Sequence, residues 1–514
     1  MGVVAALLLI VPFLAGLASF AAPPRVGQAI TAVSGVASFG LVLALIPDAS
    51  QRAASYFGFV RVDALSVVFL LATSFLYATV AIYSIGYLPG GHGHDASARY
   101  TRRFSLGLNL FAWSMLAAPL MSNLALLWVA IEVTTVISAL LVAIEGTDGA
   151  AEAAWKYILI ASAGLSIALL GTIFMYYAGA QVLGPHYSMA FAPVLASARH
   201  LAVTPVRMAF VLAVLGFGTK VGLFPVHTWL PDAHSEAPTP VSALLSGSLL
   251  AVSFYAILRY YQIAVASLGP RFPRDVLLVF GVATLLLAAL YLLDQRDYKR
   301  LLAYSSMEHM GILAIGVSFG APIALAGVLL HVLAHAAAKG NAFMGSGVLL
   351  RKFGSKEMRG VRGGLDLLPW SGPLFLAAVL ALCAMPPFGI FRSEFEIVAG
   401  GLATSHNGPT VILVILVTVA FLGLTLSANR MLLSRPRPRP GPGPGSAEPG
   451  SAEPGSAEPG TAEPGGPLTR GEPSVWMVVP VAVGLVALLV LGVHPPGELT
   501  GLLARAVAQL GSRA

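Results

Sequence analysis

The stretch GFGTKVGLFPVHTWLPDAHSEAPTPVSALLSG, residues 216–247, determines the predicted fold. It joins two apolar runs that are each long enough to cross a membrane, yet it contains a lysine, Lys220. A lysine at membrane depth is costly unless it is paired, neutral or hydrated, so such a residue indicates a functional site. Proline and glycine in the same stretch interrupt the helix and free backbone groups that only a protein-lined or watery cavity can satisfy. The stretch therefore predicts a protein that moves ions, most simply protons, through the membrane.

The composition excludes a soluble globular domain. Only 10% of the 514 residues are charged and 57% are hydrophobic, whereas soluble domains carry about 25% charged residues. Hydropathy predicts about fourteen spans of roughly 20 residues each, so the predicted fold class is all-α, a polytopic membrane helical bundle. The predicted spans are 2–20, 27–46, 64–86, 104–121, 123–144, 155–178, 208–226, 241–263, 275–293, 300–318, 321–350, 373–398, 409–433 and 475–493.

The net charge of +7 is interpreted as an excess of lysine and arginine in the loops of one membrane face, not as a sign of a nucleic-acid partner. With an even number of spans both termini lie on one face, and Arg259 is counted in a loop of that face. The loops of the opposite face hold about twice as many lysines and arginines, and basic loops stay in the cytoplasm. The sequence therefore predicts a multi-pass protein of the cell inner (plasma) membrane with both termini on the outer face. The first segment lacks the basic start of a signal peptide and is kept as a membrane helix.

Glu132 lies about ten residues into the fifth predicted span, which places it near the bilayer midplane. We predict that it is the carboxylate partner of Lys220, because a partner lowers the cost of each charge and holds both pKa values within reach of a nearby proton. The alternative is a protonated glutamic acid that holds helices together. Two residues near span ends have simpler interpretations: Asp63 as a helix cap or interface residue, and Lys156 as an interface anchor or a contact of the proton path.

Asp232, His234 and Glu236 follow the seventh predicted span on the basic side of the membrane. They are predicted to form a hydrophilic funnel for proton uptake. His227 and His234 also raise the alternative of a metal site, but no cysteine or third close ligand accompanies them. The single cysteine, Cys383, excludes an intrachain disulfide and a cysteine-ligated cluster.

His331, His335 and Lys339 recur at four-residue spacing in the eleventh predicted span, so they lie on one face of a helix. The tenth span carries Glu308 and His309. A lone histidine is more often a satisfied core residue, but three titratable groups in register favour a relay. Two histidines four residues apart also occur as zinc ligands; here the H-E-x-x-H pattern is absent and Lys339 would repel a cation.

The segment MPPFGIFRSEFEI, residues 385–397, breaks the twelfth predicted span much as glycine and proline break the seventh. Broken segments at corresponding places in two halves predict two inverted five-helix repeats, with Lys220 and Glu394 in equivalent positions. The stretch between the last two spans is rich in Pro, Gly, Ala and Glu and is predicted to be a disordered linker. The predicted organisation is a scaffold at 1–103, repeats at 104–263 and 275–433, the linker at 434–474, and a last helix with a short tail at 475–514.

Three motifs together resemble a known family: KVGLFPVHTWLPDAHSEAPTPVSALLSG (220–247), KRLLAYSSMEHMG (299–311) and PPFGIFRSEF (386–395). They are similar to the antiporter-like, proton-translocating membrane subunits shared by respiratory complex I, group 4 membrane-bound nickel–iron hydrogenases and multisubunit cation/proton antiporters. The resemblance covers about residues 60–430 and looks closest to the hydrogenase-4 component F type. It implies the fourteen-helix fold.

The resemblance also implies roles for single residues. Many complex I relatives carry a lysine or histidine in the eighth helix, where this chain has Ser246 and Ser248; these serines could only orient water, which puts the link between the two halves in doubt. The residues that match functional positions of the family are Glu132 of the fifth helix, Lys220 of the seventh, the central relay His309, His335 and Lys339, and the exit glutamate Glu394.

The predicted function is that of a non-redox, proton-translocating membrane subunit of a redox-driven complex, of the hydrogenase-4 or NADH-quinone oxidoreductase type. The sequence has no phosphate-binding loop, dinucleotide fingerprint or cluster ligands. No cofactor or metal is therefore expected in this chain, and the driving energy must come from partners: other membrane subunits and a peripheral redox module, nickel–iron hydrogenase-like or quinone-reducing. The alternatives are a subunit of a multisubunit cation/proton antiporter and a coupling subunit for a non-redox soluble partner.

Overall fold

A computed structural model describes residues 1–88, 95–434 and 469–511 of the chain. These residues form helices, with one short exception that the all-α prediction missed. Strand β1 (Ala54–Tyr56) pairs antiparallel with β2 (Val60–Val62) in a small hairpin. The predicted linker at 434–474 lies, apart from its two ends, outside the described residues.

The helices that precede the predicted second repeat are numbered in chain order. They are α1 (Gly2–Ala21), α2 (Pro24–Leu43), α3 (Ile46–Gln51), α4 (Ala64–Tyr87), α5 (Asp95–Ala117), α6 (Leu124–Val142), α7 (Asp148–Leu183), α8 (Phe191–Ala196), α9 (Val203–Val221), α10 (Trp229–Glu236), α11 (Thr239–Leu244) and α12 (Leu250–Leu268).

The helices of the remaining chain follow the same numbering. They are α13 (Arg271–Leu292), α14 (Tyr298–Phe319), α15 (Pro322–Phe353), α16 (Gly364–Leu367), α17 (Ser371–Leu382), α18 (Gly389–Ala403), α19 (Asn407–Leu432), α20 (Val475–Val493) and α21 (Gly497–Leu510).

Eleven helical stretches of the described chain are long and apolar enough to cross a membrane. The other three predicted spans coincide with α5, with α14 and with the pair α17–α18. The chain is thus a polytopic membrane helical bundle, as the composition predicts. The count of fourteen spans and the inverted repeats stay predictions.

Both predicted helix breaks are present. Helix α9 ends at Val221, five residues before the predicted end of the seventh span, because Gly222 adopts a left-handed conformation with φ 84° that favours glycine. A short helix, α10, follows before the chain re-enters the bundle as α11. Residues 383–388 separate α17 from α18 in the same way.

The centre of the bundle is built from α15 and from the continuous stretch Thr239–Leu268, whose most apolar window is wholly buried. This stretch contains a π-helical turn, Leu245–Leu249, between α11 and α12. Helix α15 packs against α4, α14, α17, α18 and α20. π-helical turns are rare in proteins overall but common at functional sites. This turn in the buried centre of the bundle therefore marks a candidate functional region.

Candidate functional site

The first part of the site surrounds Lys220, in the last turn of α9. Its side chain is fully buried, and Nζ donates a hydrogen bond to the hydroxyl of Tyr157 on α7. The ammonium also lies 4.8 Å from the centroid of the Tyr157 ring, within the range of a cation–π contact. The Tyr157 hydroxyl is 2.7 Å from the Ser138 Oγ atom of α6. The hydroxyl and the aromatic face of Tyr157 therefore solvate this lysine.

The predicted partner of the lysine, Glu132, lies on α6 and makes a different contact. Its Oε1 atom accepts a hydrogen bond of 3.0 Å from the Ser162 hydroxyl of α7, and its buried Oε2 atom has no hydrogen-bond partner among the described residues. Glu132 and Lys220 are not in direct contact, since no ion pair within 4.0 Å joins them, but the charge of Glu132 acts on Lys220 electrostatically, so the predicted partnership stays a prediction. The direct contact is absent because α7 supplies a hydroxyl to each group, Ser162 to the carboxylate and Tyr157 to the ammonium.

Two of the three predicted proton-uptake residues line a surface cleft of about 220 Å³. Asp232 accepts from Arg300 at 2.6 Å and lies 3.5 Å from the Lys156 ammonium, while Glu236 pairs with Lys356 at 2.9 Å. Lys156 also lines the cleft; that it contacts a proton path stays a prediction. The cleft is a set of linked charges at the surface.

The third predicted uptake residue, His234, lies behind the cleft and not in its wall. Its imidazole is fully buried and stacks on Phe343 of α15, with 5.3 Å between ring centroids. Neither ring nitrogen has a hydrogen-bond partner in the described part of the chain. His234 therefore connects the region of the cleft with α15 through packing alone.

A pair of serines joins the two halves where the eighth span has no lysine or histidine. The Ser246 hydroxyl, in the π-helical turn, lies 2.7 Å from the Ser306 hydroxyl of α14. Gly247 lets this turn pack closely on α4 and α15, because a Cβ atom there would lie 2.6 Å from the Leu76 Cδ2 atom and 3.1 Å from the Ala336 carbonyl oxygen. Ser248 points elsewhere and bonds Thr73 of α4. Ser246 is therefore the serine that faces the second half.

The second part of the site is a cluster of three buried histidines. The Nδ1 atom of His309 on α14 lies 3.1 Å from the Nε2 atom of His331 on α15. The ring of His335, one turn further along α15, lies 5.2 Å from that of His309 and 6.3 Å from that of His331. Ser393 of α18 hydrogen-bonds the other ring nitrogen of His331 at 2.9 Å. Three helices thus converge on these imidazoles.

Lys339 and Glu394 add two further titratable groups to the cluster. Lys339 is buried on α15 and donates hydrogen bonds to the Leu302 carbonyl oxygen, at 3.1 Å, and to the Ser305 hydroxyl. The Glu394 Oε1 atom of α18 lies 4.0 Å from His309 Nδ1, and the side chain is 12% exposed. The four-residue spacing does place His331, His335 and Lys339 along one helix, but only the structure brings them against α14 and α18.

Several polar atoms of this cluster are buried with no hydrogen-bond partner among the described residues. Most buried polar groups in proteins are satisfied, so such a concentration requires an explanation. Glu308 also has such an unsatisfied atom, although the sequence predicted no role for it. The unsatisfied atoms are Glu308 Oε2, His309 Nε2, both ring nitrogens of His335, and Glu394 Oε1.

Arg259 corrects the sequence-based loop count. It is not in an outer loop but is buried in α12, where its Nη2 atom donates to both carboxylate oxygens of Asp63 at 2.7 and 2.8 Å. Asp63 also accepts from the Ser66 backbone N–H at 3.0 Å, which confirms its predicted role as the cap of α4. Burial of this carboxyl raises its pKa, but Arg259 and Arg61 outweigh that effect and hold the pKa of Asp63 well below its usual range.

Comparison with known proteins identifies the family. The sequence profile of the family described as NADH:quinone oxidoreductase/Mrp antiporter, TM, matches residues 121–423. The chain is 37% identical over 352 residues to the hydrogenase-4 component F homolog of Methylacidiphilum infernorum (isolate V4), covering 68% of this chain and 73% of that protein. It is 31% identical over 348 residues to hydrogenase-4 component B of Escherichia coli (strain K12), covering 65% of this chain but only 50% of that longer protein.

Solved structures share the fold. A chain in the structure of the Mrp complex from Dietzia sp. DQ12-45-1b superposes with a TM-score of 0.82 at 21% identity, covering 99% of this chain and 98% of that one. A chain of respiratory complex I from Thermus thermophilus with bound NADH gives a TM-score of 0.76 at 22% identity, covering 98% and 99%. At such identities the likeness concerns the fold alone. The profile match and the relative from Methylacidiphilum infernorum show more: this chain belongs to the NADH:quinone oxidoreductase/Mrp antiporter transmembrane family.

Proposed function

We propose that this chain is a proton-translocating membrane subunit of a redox-driven complex of the hydrogenase-4 or NADH-quinone oxidoreductase type. Its family supports this function, and so do the names of its relatives. One relative is an NADH-quinone oxidoreductase subunit N from Desulforudis audaxviator (strain MP104C). It is 30% identical over 343 residues, which cover 66% of each chain. The observation that carries the proposal is the row of buried titratable side chains that begins at Lys220 and continues through the histidine cluster to Lys339 and Glu394.

Protons enter from the cytoplasm at the cleft that holds Asp232 and Glu236, pass the region of His234, and load Lys220. From there they cross by way of Ser246 and the Ser306 hydroxyl to the second half. The second half carries them along its titratable groups and releases them past Glu394. The groups of this last step are His309, His331, His335 and Lys339.

Movement of the Glu132 carboxylate controls the proton affinity of Lys220. An opposite charge close to a lysine favours its protonated form, and withdrawal of that charge favours release. The structure supports this because each group is held by a neutral hydroxyl and the Glu132 Oε2 atom has no partner among the described residues. A small change in α7 would therefore suffice to exchange these contacts.

The driving energy comes from partner subunits. Moving one proton against about 150 mV costs roughly 3.5 kcal/mol, and we assign no cofactor to this chain. The partners are other membrane subunits of the same complex and a peripheral redox module, either nickel–iron hydrogenase-like or quinone-reducing. In this arrangement the chain lies in the cell inner (plasma) membrane, with both termini on the outer face.

The second candidate is a subunit of a multisubunit cation/proton antiporter, which the fold similarity to the Mrp complex chain favours. Affinity purification of the tagged chain from its native membrane separates the two. Co-purifying nickel–iron or quinone-reducing subunits support the redox complex, whereas small membrane subunits and sodium-dependent proton movement support the antiporter. A soluble zinc protein in their place points to the non-redox coupling role.

The residue roles are tested in energised membrane vesicles with a pH-sensitive dye. Lys220→Ala and Glu394→Ala abolish coupled proton transport while the complex still assembles. Lys352→Ala is the matched control, because this lysine lies at the end of α15 and donates to the Thr469 and Gly471 carbonyl oxygens outside the relay. Wild-type pumping by the Lys220 and Glu394 variants overturns the assignment.

A further inference from the structure

We propose that His309, His331 and Glu394 form a binding site for a divalent transition-metal ion such as Zn²⁺, and that a bound ion blocks proton transfer. One ligand atom from each residue lies within 4.8 Å of the other two. The residues belong to α14, α15 and α18, so no spacing in the sequence reveals the set. The sequence pair at i, i+4 spacing, His331 and His335, does not form the ligand set; His335 is not among its members.

The ligand chemistry suits zinc. Two imidazoles and one carboxylate form a common three-ligand set that leaves a fourth position for water. With Zn–N and Zn–O bonds of about 2.0–2.2 Å, tetrahedral ligand atoms are about 3.3–3.5 Å apart. The distance from His309 Nδ1 to His331 Nε2 is 3.1 Å and that from His309 Nδ1 to Glu394 Oε1 is 4.0 Å. A modest rotation of the Glu394 side chain completes the site.

The surroundings hold one of the two imidazole ligands, His331, as metal sites require, whereas His309 Nε2 has no hydrogen-bond partner among the described residues. A metal-bound histidine generally has its second ring nitrogen held by a hydrogen bond, and Ser393 Oγ lies 2.9 Å from His331 Nδ1. Gly327 lets α18 approach α15 closely enough for this contact, because a Cβ atom there would lie 2.7 Å from the Ser393 carbonyl oxygen. The Glu394 Oε1 atom is buried with no hydrogen-bond partner in the described chain, so it is free to bind.

Charge and ligand type restrict which ions bind. Magnesium and calcium prefer all-oxygen sites, whereas imidazole suits zinc, cobalt, nickel and copper. Lys339 lies eight residues from His331, about 12 Å along the helix axis, and its ammonium is bonded to Leu302 and Ser305. It therefore opposes the cation through charge while its own hydrogen bonds hold it on Leu302 and Ser305.

A bound ion occupies the Nδ1 atom of His309 and the Nε2 atom of His331, the two facing nitrogens between which a proton would pass. The proposed block of transport depends on the proposed function of the chain. The proposed binding of the ion does not depend on that function.

The test uses the purified full chain in lipid nanodiscs with Co²⁺ as a spectroscopic probe. We expect one Co²⁺ bound per chain, displaced by Zn²⁺ but not by Mg²⁺. His331→Gln weakens Co²⁺ binding at least 10-fold, and Ser393→Ala, which keeps all three ligands, weakens it about 10-fold through loss of orientation. His406→Gln, in the connection between α18 and α19, binds like the wild type. No saturable Co²⁺ binding, or equal binding by the wild type and the His331 and Ser393 variants, overturns the site.

A second arm measures proton transport in vesicles with added Zn²⁺. Inhibition at the zinc concentration that fills the site supports the block; a filled site with undiminished transport overturns the block and leaves the site standing. If the wild type transports no protons at all without zinc, the proposed function fails while the Co²⁺ measurement still decides the site.

Discussion

The Asp63–Arg259 pair and the histidine cluster are both buried, but their polar atoms are satisfied to different extents. The Arg259 guanidinium donates to Asp63, Tyr255, Gln262 and Ser66. In the cluster, neither ring nitrogen of His335 has a hydrogen-bond partner among the described residues. A fully bonded group fixes structure, whereas a group with free atoms can exchange partners, which is what a proton carrier must do. The difference separates the anchor of the fold from the proposed proton path.

The anchor also holds the end of the described chain in place. The Gln262 side chain donates to the Gln509 carbonyl oxygen of α21 at 2.8 Å. The Gln509 side chain in turn accepts from the Leu65 backbone N–H in the first turn of α4 at 3.1 Å. The first turn of α4, α12 and α21 therefore depend on one polar network.

The largest effect is expected from breaking the anchor. Asp63→Ala leaves a buried arginine without its counter-charge, so the free energy of unfolding falls by about 3–5 kcal/mol. Asp275→Ala is the control, because the Arg271–Asp275 pair is 96% and 67% exposed and such pairs contribute about 1 kcal/mol or less. Thermal unfolding in detergent measures both. Equal losses in the two variants would contradict the comparison.

The anchor effect also has a defined pH range. Because the folded-state pKa of Asp63 is lowered, its stabilisation is fully present above the unfolded pKa of about 3.9 and is lost as the pH falls through the lower folded value. The difference in unfolding temperature between wild type and Asp63→Ala is therefore the same at pH 6 and pH 8 and shrinks only in acid. A difference that disappears between pH 8 and pH 6 would exclude this origin.

A smaller effect, on transport and not on stability, is expected from Tyr157→Phe. The substitution removes the hydroxyl that bonds Lys220, and we expect proton transport to fall at least about 10-fold, since positioned proton-transfer groups contribute 10²-fold or more. Tyr260→Phe is the matched control: its hydroxyl lies 2.7 Å from Thr172 in the same half, away from the lysine. A dye-based transport assay that finds the two variants alike would remove Tyr157 from the path.

The smallest effect is expected from Ser246→Ala, which deletes the contact between the halves. One neutral hydrogen bond contributes about 0.5–1.5 kcal/mol, so transport falls roughly 2–10-fold. Ser253→Ala serves as the control, because its hydroxyl bonds the Leu249 carbonyl oxygen of the preceding π-helical turn and does not reach the second half. Initial rates in vesicles measure both, and an unchanged rate in Ser246→Ala would place the crossing elsewhere.

The sequence predicted much of the fold because its signals are local. Hydropathy and periodicity read neighbouring residues, so they found the apolar spans, the break near Gly222, the break before Gly389 and the titratable face of α15. Arg259 escaped, since its counter-charge Asp63 lies 196 residues away and hydropathy cannot distinguish a loop arginine from a paired one. The hairpin at Ala54–Val62 also escaped, since its strands are only three residues each.

The candidate site was predictable in its members but not in its contacts. Lys220, His331, His335 and Lys339 stand out because charge and imidazole are costly in a membrane helix. The contact of Lys220 with Tyr157 instead of Glu132 depends on how α6, α7 and α9 pack, which no single segment encodes. The convergence of three helices on His309 has the same origin.

The burial of α15 has a consequence for how the protein is made. Its most apolar window has a mean hydropathy of only 1.5, against 2.7 for α19, and a single lysine at the centre of a lipid-exposed helix already costs about 2.5–3.5 kcal/mol during insertion by the translocon. The ribosome delivers α14 before α15 and α18 after it, so the wall that will cover His331 does not yet exist when α15 emerges. This helix must wait beside the insertion machinery or its earlier neighbours until α18 is synthesised, which makes the order of synthesis part of the folding problem.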